Sequence, residues 1–92
     1  MKKAIISVLG QDRPGILAAV SHLLFRENCN IENVSQTILQ SEFAGIFIVS
    51  APKALSIEAL KRRLNEELHE MDLHAHVKEF QTKPVSPTPD EG

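Results

Sequence analysis

The sequence predicts an α+β domain with the order strand, helix, strand, strand, helix, strand. Three observations predict it. Short β-branched, apolar stretches of strand length alternate with two segments whose apolar residues recur every three or four positions. Turn-forming residues stand at each change of period. Ninety-two residues are enough for one compact domain and not for two.

"KAIISVL" at 3–9 is β-branched, apolar and too short for a stable helix, so it reads as the first strand. From Gly15 the spacing becomes helical: Ile16, Val20, Leu23 and Leu24 share one face, while Ser21, Arg26 and Glu27 point away. "ENCN" at 27–30 closes that helix, because asparagine tolerates the left-handed conformation. "IENVSQTIL" and "EFAGIFIVSA" are two extended stretches separated by "QSE", a hairpin.

Pro52 ends the hairpin, and Ser56 with Glu58 marks the start of a second helix. Ile57, Leu60, Leu64, Leu68 and Met71 form its apolar stripe, with Lys61, Arg62, Glu66, Glu67 and Glu70 on the solvated sides. In "LHAHVKEF", Leu73, Ala75 and Val77 alternate with His74, His76 and Lys78, as in a half-buried fourth strand. This order of elements gives a ferredoxin-like βαββαβ fold: a four-stranded antiparallel sheet with two helices on one face. The domain is expected to occupy residues 1–80. Residues 81–92, "QTKPVSPTPDEG", hold three of the five prolines and almost nothing apolar, and are expected to be a flexible tail.

The third strand is apolar on both faces, with Phe43, Phe47 and Val49 on one and Ala44, Ile46 and Ile48 on the other. Two helices cover one face, so the second is expected to meet a partner or a second copy.

Composition removes several classes of function. Net charge is −2, with 10 basic and 12 acidic residues spread along the chain, so no nucleic-acid partner is expected. An RNA-binding module of this topology also needs aromatics displayed on its central strands, and the chain has no Trp or Tyr. No apolar run reaches the roughly 18 residues of a membrane span, so no membrane partner is expected. The opening "MKKAIISVLGQDRPG" has two lysines and a short apolar stretch, but it runs into Asp12 and Arg13 without a small-residue cleavage pattern. It reads as a strand, and cytoplasmic residence is the default expectation.

The single cysteine, Cys29, rules out a disulfide within one chain and reads as a small packed residue. His74 and His76 share a strand face where Lys78 takes the place of a third ligand, so no metal is expected. No serine sits on a strained elbow beside a histidine, so neither an enzyme nor a cofactor is implied.

What remains is the polar knot between the first strand and first helix: Gly10, Gln11, Asp12, Arg13, Pro14 and Gly15. Pro14 suits a first helical turn and Asp12 can cap its open N–H groups. Gly10 lets the backbone leave the strand. Gly15 costs helix stability and is useful if something approaches the backbone closely. A helix N-terminus offers N–H donors to a carboxylate, and Asp12 offers a carboxylate to an ammonium group. Together they are the minimal complement of an α-amino acid.

This G-x-D-R-P-G-I-L turn, followed by Asn30-Ile31 at the opening of the second strand, resembles the ACT domain family over roughly residues 1–80. The resemblance implies a small, non-enzymatic regulatory module acting in amino-acid metabolism, homodimeric, with an amino acid held between two domains. It implies that Gly10, Gln11, Asp12, Arg13, Pro14 and Gly15 of one domain, and Asn30 with Ile31 of its neighbour, form the ligand site. Ligand occupancy would then signal to a partner protein. Serine-sensing members carry asparagine where this chain has Asp12, which leaves the ligand's identity open. The alternative is an assembly module without a small-molecule ligand, in which the knot is only a helix cap.

Overall fold

Alternation along the strands and a three-to-four period along the helices together determine which side chains meet. The computed structural model describes residues 1–80; the expected tail, 81–92, lies outside the described residues. In chain order the elements are β1 (Lys2–Gln11), α1 (Ile16–Arg26), β2 (Asn30–Leu39), β3 (Glu42–Ala51), α2 (Ile57–Leu68), a short 3-10 turn (His69–Met71) and β4 (Leu73–Phe80). The strands form one sheet in the order β2-β3-β1-β4, antiparallel between neighbours, as the ferredoxin-like fold requires.

Ala4, Ile6 and Val8 of β1, Phe43, Phe47 and Val49 of β3, and Leu73, Ala75 and Val77 of β4 point to the helix side. There they are buried beneath Val20, Leu23 and Leu24 of α1 and Leu60, Leu64 and Leu68 of α2. Each large side chain removed from water contributes roughly 1.5–3 kcal/mol, which is what holds both helices to one face.

Local chemistry ends most elements where the sequence says it should. Gln40 and Ser41 both have positive φ (52° and 72°), the geometry of a two-residue turn whose twist suits a hairpin. After α1, Asn28 sits at φ 62° and its N–H donates to the Phe25 carbonyl, while the Cys29 N–H reaches back to Leu24. That pair of bonds satisfies the last carbonyls of the helix.

The Ser56 Oγ accepts from the Ala59 N–H at 3.0 Å and caps α2. Ser56→Ala is expected to cost about 1 kcal/mol, with Ser56→Asp close to neutral; thermal melts of the two variants check this.

The start of α1 differs from the sequence reading. Its N-cap is Gly15, at φ 89°, and no side chain caps it. Asp12 does not serve as the cap, and Pro14 lies just outside the helix rather than in its first turn. The reason is that β1 runs on to Gln11, and the Asp12 N–H then donates to the Ser41 carbonyl at 2.8 Å. Asp12 is thereby tied to the β2–β3 turn. Gly10 does not bend the chain either: it stays in β1, opposite Phe43 and Leu73, and is required because Asp72 and Leu73 leave no room for a Cβ. Gly15 is the glycine that its backbone conformation demands, and a Cβ there would meet nothing within 4 Å.

The two edges of the sheet are unlike. On the β4 edge, the Asn65 side chain of α2 donates to the Ala75 carbonyl and accepts from the Ala75 N–H, both at 2.9 Å. On the β2 edge nothing comparable stands among the described residues, and no residue of β2 is buried.

Candidate functional site

The knot folds into one wall of an open groove of about 350 Å³ where β1 hands over to α1. Asp12, Arg13, Gly15 and Leu17 line one side, and Gln36 and Ile38 of β2 line the other. With no side-chain cap and no acidic residue in its first turn, α1 presents the free N–H groups of Ile16, Leu17 and Ala18 and the positive end of its dipole. Asp12 is exposed, so its carboxylate is available to a cation.

Arg13 is partly buried, and its Nε is shielded from solvent without a hydrogen-bond partner among the described residues. A sequestered guanidinium N–H without an acceptor is costly, and an anion in the groove would supply one. The groove therefore offers donors for a carboxylate, a carboxylate for an ammonium group and the apolar surfaces of Leu17 and Ile38.

Gly10 through Gly15 lie together at this end of the sheet. Asn30 and Ile31 do not join them within one chain. Asn30 pairs with Ser50 at one end of β3, whereas Gly10 and Gln11 pair with Phe43 and Glu42 at the other. At about 3.3 Å per residue this separates them by roughly 25 Å. Gln36 and Ile38 were not apparent as lining residues in the sequence. Counting the hairpin register back from the Gln40–Ser41 turn would have found them, because it sets Ile38 opposite Phe43.

The other chemistry-bearing groups do not gather into a site. Cys29 is buried, and burial followed by the nearby Glu27 charge raises its thiol pKa, so it is a poor nucleophile at neutral pH. His74 and His76 stand on the open sheet face, and no three metal-ligating side chains cluster among the described residues. Between the helices, Arg26 pairs with Glu67 at 3.1 Å and Arg63 pairs with Glu27, solvated links worth ~0–1 kcal/mol each. No described helix is long and apolar enough to cross a membrane.

Two helices on one face of a four-stranded antiparallel sheet, with a polar knot at the first strand–helix turn, define a small α+β domain of the ferredoxin-like class. Residues 2–78 match the family model of the ACT domain, and the chain belongs to that family. A UPF0237 protein of Pyrobaculum aerophilum is 46% identical over 68 residues, covering 73% of this chain and 76% of that one. Among solved structures, an ACT domain protein from Streptococcus pneumoniae is similar with a TM-score of 0.78 and 28% identity, over 85% of this chain and 89% of that one. The ligand-free regulatory subunit of aspartate kinase from Thermus thermophilus is similar with a TM-score of 0.65 and 28% identity, over 84% of this chain and 50% of that subunit.

Proposed function

We propose that this protein is a regulatory module that binds a small amino acid in the groove at Gly10–Gly15, between two copies joined through β2. The observation that carries the reading is the unlike pair of sheet edges. Asn65 occupies the β4 edge at Ala75, while β2 offers ten residues with an open edge. Identical strands pair antiparallel about an axis through one residue, here Ser35, with the irregularity of β2 between Ile31 and Asn33 taking up one position. That pairing sets Asn30 and Ile31 of one copy opposite Leu39 and Ile38 of the other, beside the other copy's knot.

It also covers exposed apolar side chains. Leu17 projects from the flank of α1 beside β2, and Val34 and Ile38 from the helix side of β2. Antiparallel pairing brings these three to the seam between two adjacent α1 helices. Asp12 would then hold the ligand's ammonium group, and Arg13 with the first N–H groups of α1 its carboxylate. Ile31 of the second copy, which shares the helix side of β2 with Gln36 and Ile38, would complete the site, while the neighbouring Asn30 side chain turns to the other face. Because both chains contribute, occupancy favours one mutual arrangement of the copies, and a partner protein reads that arrangement.

One observation favours an assembly module without a small ligand: Gly15 is accounted for by its positive φ alone. A thermal-shift screen of the twenty proteinogenic amino acids separates the two readings. Binding at 100 times the dissociation constant adds about 2.7 kcal/mol to the folded state, a shift on the order of 10 °C for a domain of this size. One or two amino acids are expected to produce it. Asp12→Ala is expected to abolish the response while leaving stability within about 0.5 kcal/mol, since its side chain caps nothing. If no amino acid shifts the unmodified protein, the assembly reading stands.

A further inference from the structure

The sheet face turned away from the helices is built in columns. Asn33, Ser35 and Thr37 of β2 stand beside Ile48, Ile46 and Ala44 of β3; next come Ile5, Ser7 and Leu9 of β1, then Lys78, His76 and His74 of β4. The two central columns are apolar except for Ser7, and the two outer columns are polar. Ile46 and Leu9 are 49% and 56% exposed, unusual for side chains at the centre of a sheet. An apolar centre with polar margins is the anatomy of a protein interface.

We infer that this face is a second interface, on which another copy of this chain stacks sheet against sheet. Three observations select a second copy. The first is pattern: a two-fold axis running across the strands lays β1 and β3 on the partner's β1 and β3. With that axis over the Ser7–Ile46 row, Ile46 meets its own counterpart, Ile5 meets Leu9 and Ile48 meets Ala44, and the β2 and β4 columns form the rims. The second is charge. Lys3, at the end of β1, is committed to Glu32 at 2.8 Å, which leaves Lys78 as the lysine of the face and no cationic track for a nucleic acid.

The third is area. Four strands at about 4.8 Å spacing and ten residues at about 3.3 Å give a footprint on the order of 600 Å². A stable interface takes about 800 Å² from each partner. Two chains joined at β2 present twice the footprint, on the order of 1,200 Å², enough for pair to stack on pair. The two-fold axis of edge pairing and the one across the strands are perpendicular, so the assembly closes at four chains. That count and the area both rest on the β2 pairing proposed above; the apolar pattern of the face does not.

Sedimentation equilibrium or native mass spectrometry of the full chain tests this, with Ile46→Lys as the variant. Four chains for the unmodified protein and two for Ile46→Lys are expected. Two chains falling to one support the stacking while overturning the edge pairing. Two chains in both proteins, four in both, or a monomeric unmodified protein overturn the stacking. Circular dichroism confirms that the variant is folded, and if it is not, Leu9→Lys takes its place with the same outcomes.

Discussion

Gly10→Val is expected to lower the melting temperature by roughly 15 °C, from a destabilisation of about 3 kcal/mol in a domain of this size. A Cβ at position 10 would run into the Asp72 carbonyl oxygen and come within 2.8 Å of Leu73 Cδ2 and 3.0 Å of Leu73 Cα. A flexible side chain could turn aside, but a backbone carbonyl can do so only by moving its turn. That turn is held: Asp72 is itself left-handed at φ 59°, and its N–H donates to the His69 carbonyl at 3.0 Å. The strain therefore falls on the pairing of β1 with β4, whose last step is Gly10 with Leu73. Paired thermal and urea melts read the loss. Gly10→Ala brings the same first carbon and should move in the same direction by less. An unchanged melting temperature for Gly10→Val would mean that the turn at 69–72 yields freely. The prediction matters for the site because Gln11 and Asp12 follow directly, and a shifted end of β1 displaces the knot's carboxylate from the groove.

The sequence was most informative where the responsible contacts are local. Asn28 as the left-handed end of α1, Ser56 as the cap of α2 and the helical stripe from Ile57 to Leu68 depend on residues within one or two turns and stand as the spacing indicated, whereas Met71 packs on the core from the 3-10 turn beyond the helix. Strand parity was legible for the same reason: burial alternates along β4 as Leu73, Ala75 and Val77 against their polar neighbours.

The start of α1 was misread because its decisive partner is distant. Nothing near Asp12 reveals that its N–H is taken by Ser41, and without that bond the capping pattern was a sound reading. The roles of Gly10 and Gly15 were exchanged for a related cause. Whether a glycine serves conformation or space depends on what stands beside it, and Asp72 reaches Gly10 only through the sheet. The contiguous half of the candidate site was visible as a string of letters. Gln36 and Ile38 required the register of a hairpin. That Asn30 lies at the far end of the sheet required the topology.

Asn65→Leu is expected to be more damaging than Asn65→Ala, although leucine suits a helix better than asparagine does. Asn65 Oδ1 accepts the Ala75 N–H, and its Nδ2 donates to the carbonyls of Ala75 at 2.9 Å and Lys61 at 3.0 Å. Ala75 has no exposed surface, so water does not replace these bonds while a side chain fills the space. Leucine keeps the space filled and leaves an N–H and a C=O unsatisfied, about 1–3 kcal/mol for each, or roughly 3 kcal/mol together. Alanine opens a path for water and should recover part of that loss. Aspartate still accepts from the Ala75 N–H but turns a second oxygen toward the Ala75 carbonyl, and should fall below asparagine for lack of a donor. Urea melts of the three variants give the order, and a Leu variant as stable as the unmodified protein would show that the bond to β4 carries little. The contact has a consequence beyond stability. It is what makes the β4 edge unlike the β2 edge, so its loss frees a strand to pair with other chains. If β2 is the edge through which two copies join, Asn65→Leu should add larger species to the sedimentation profile without dissolving that pair. The asparagine then acts by forbidding one edge, and the assembly's direction follows from the edge left open.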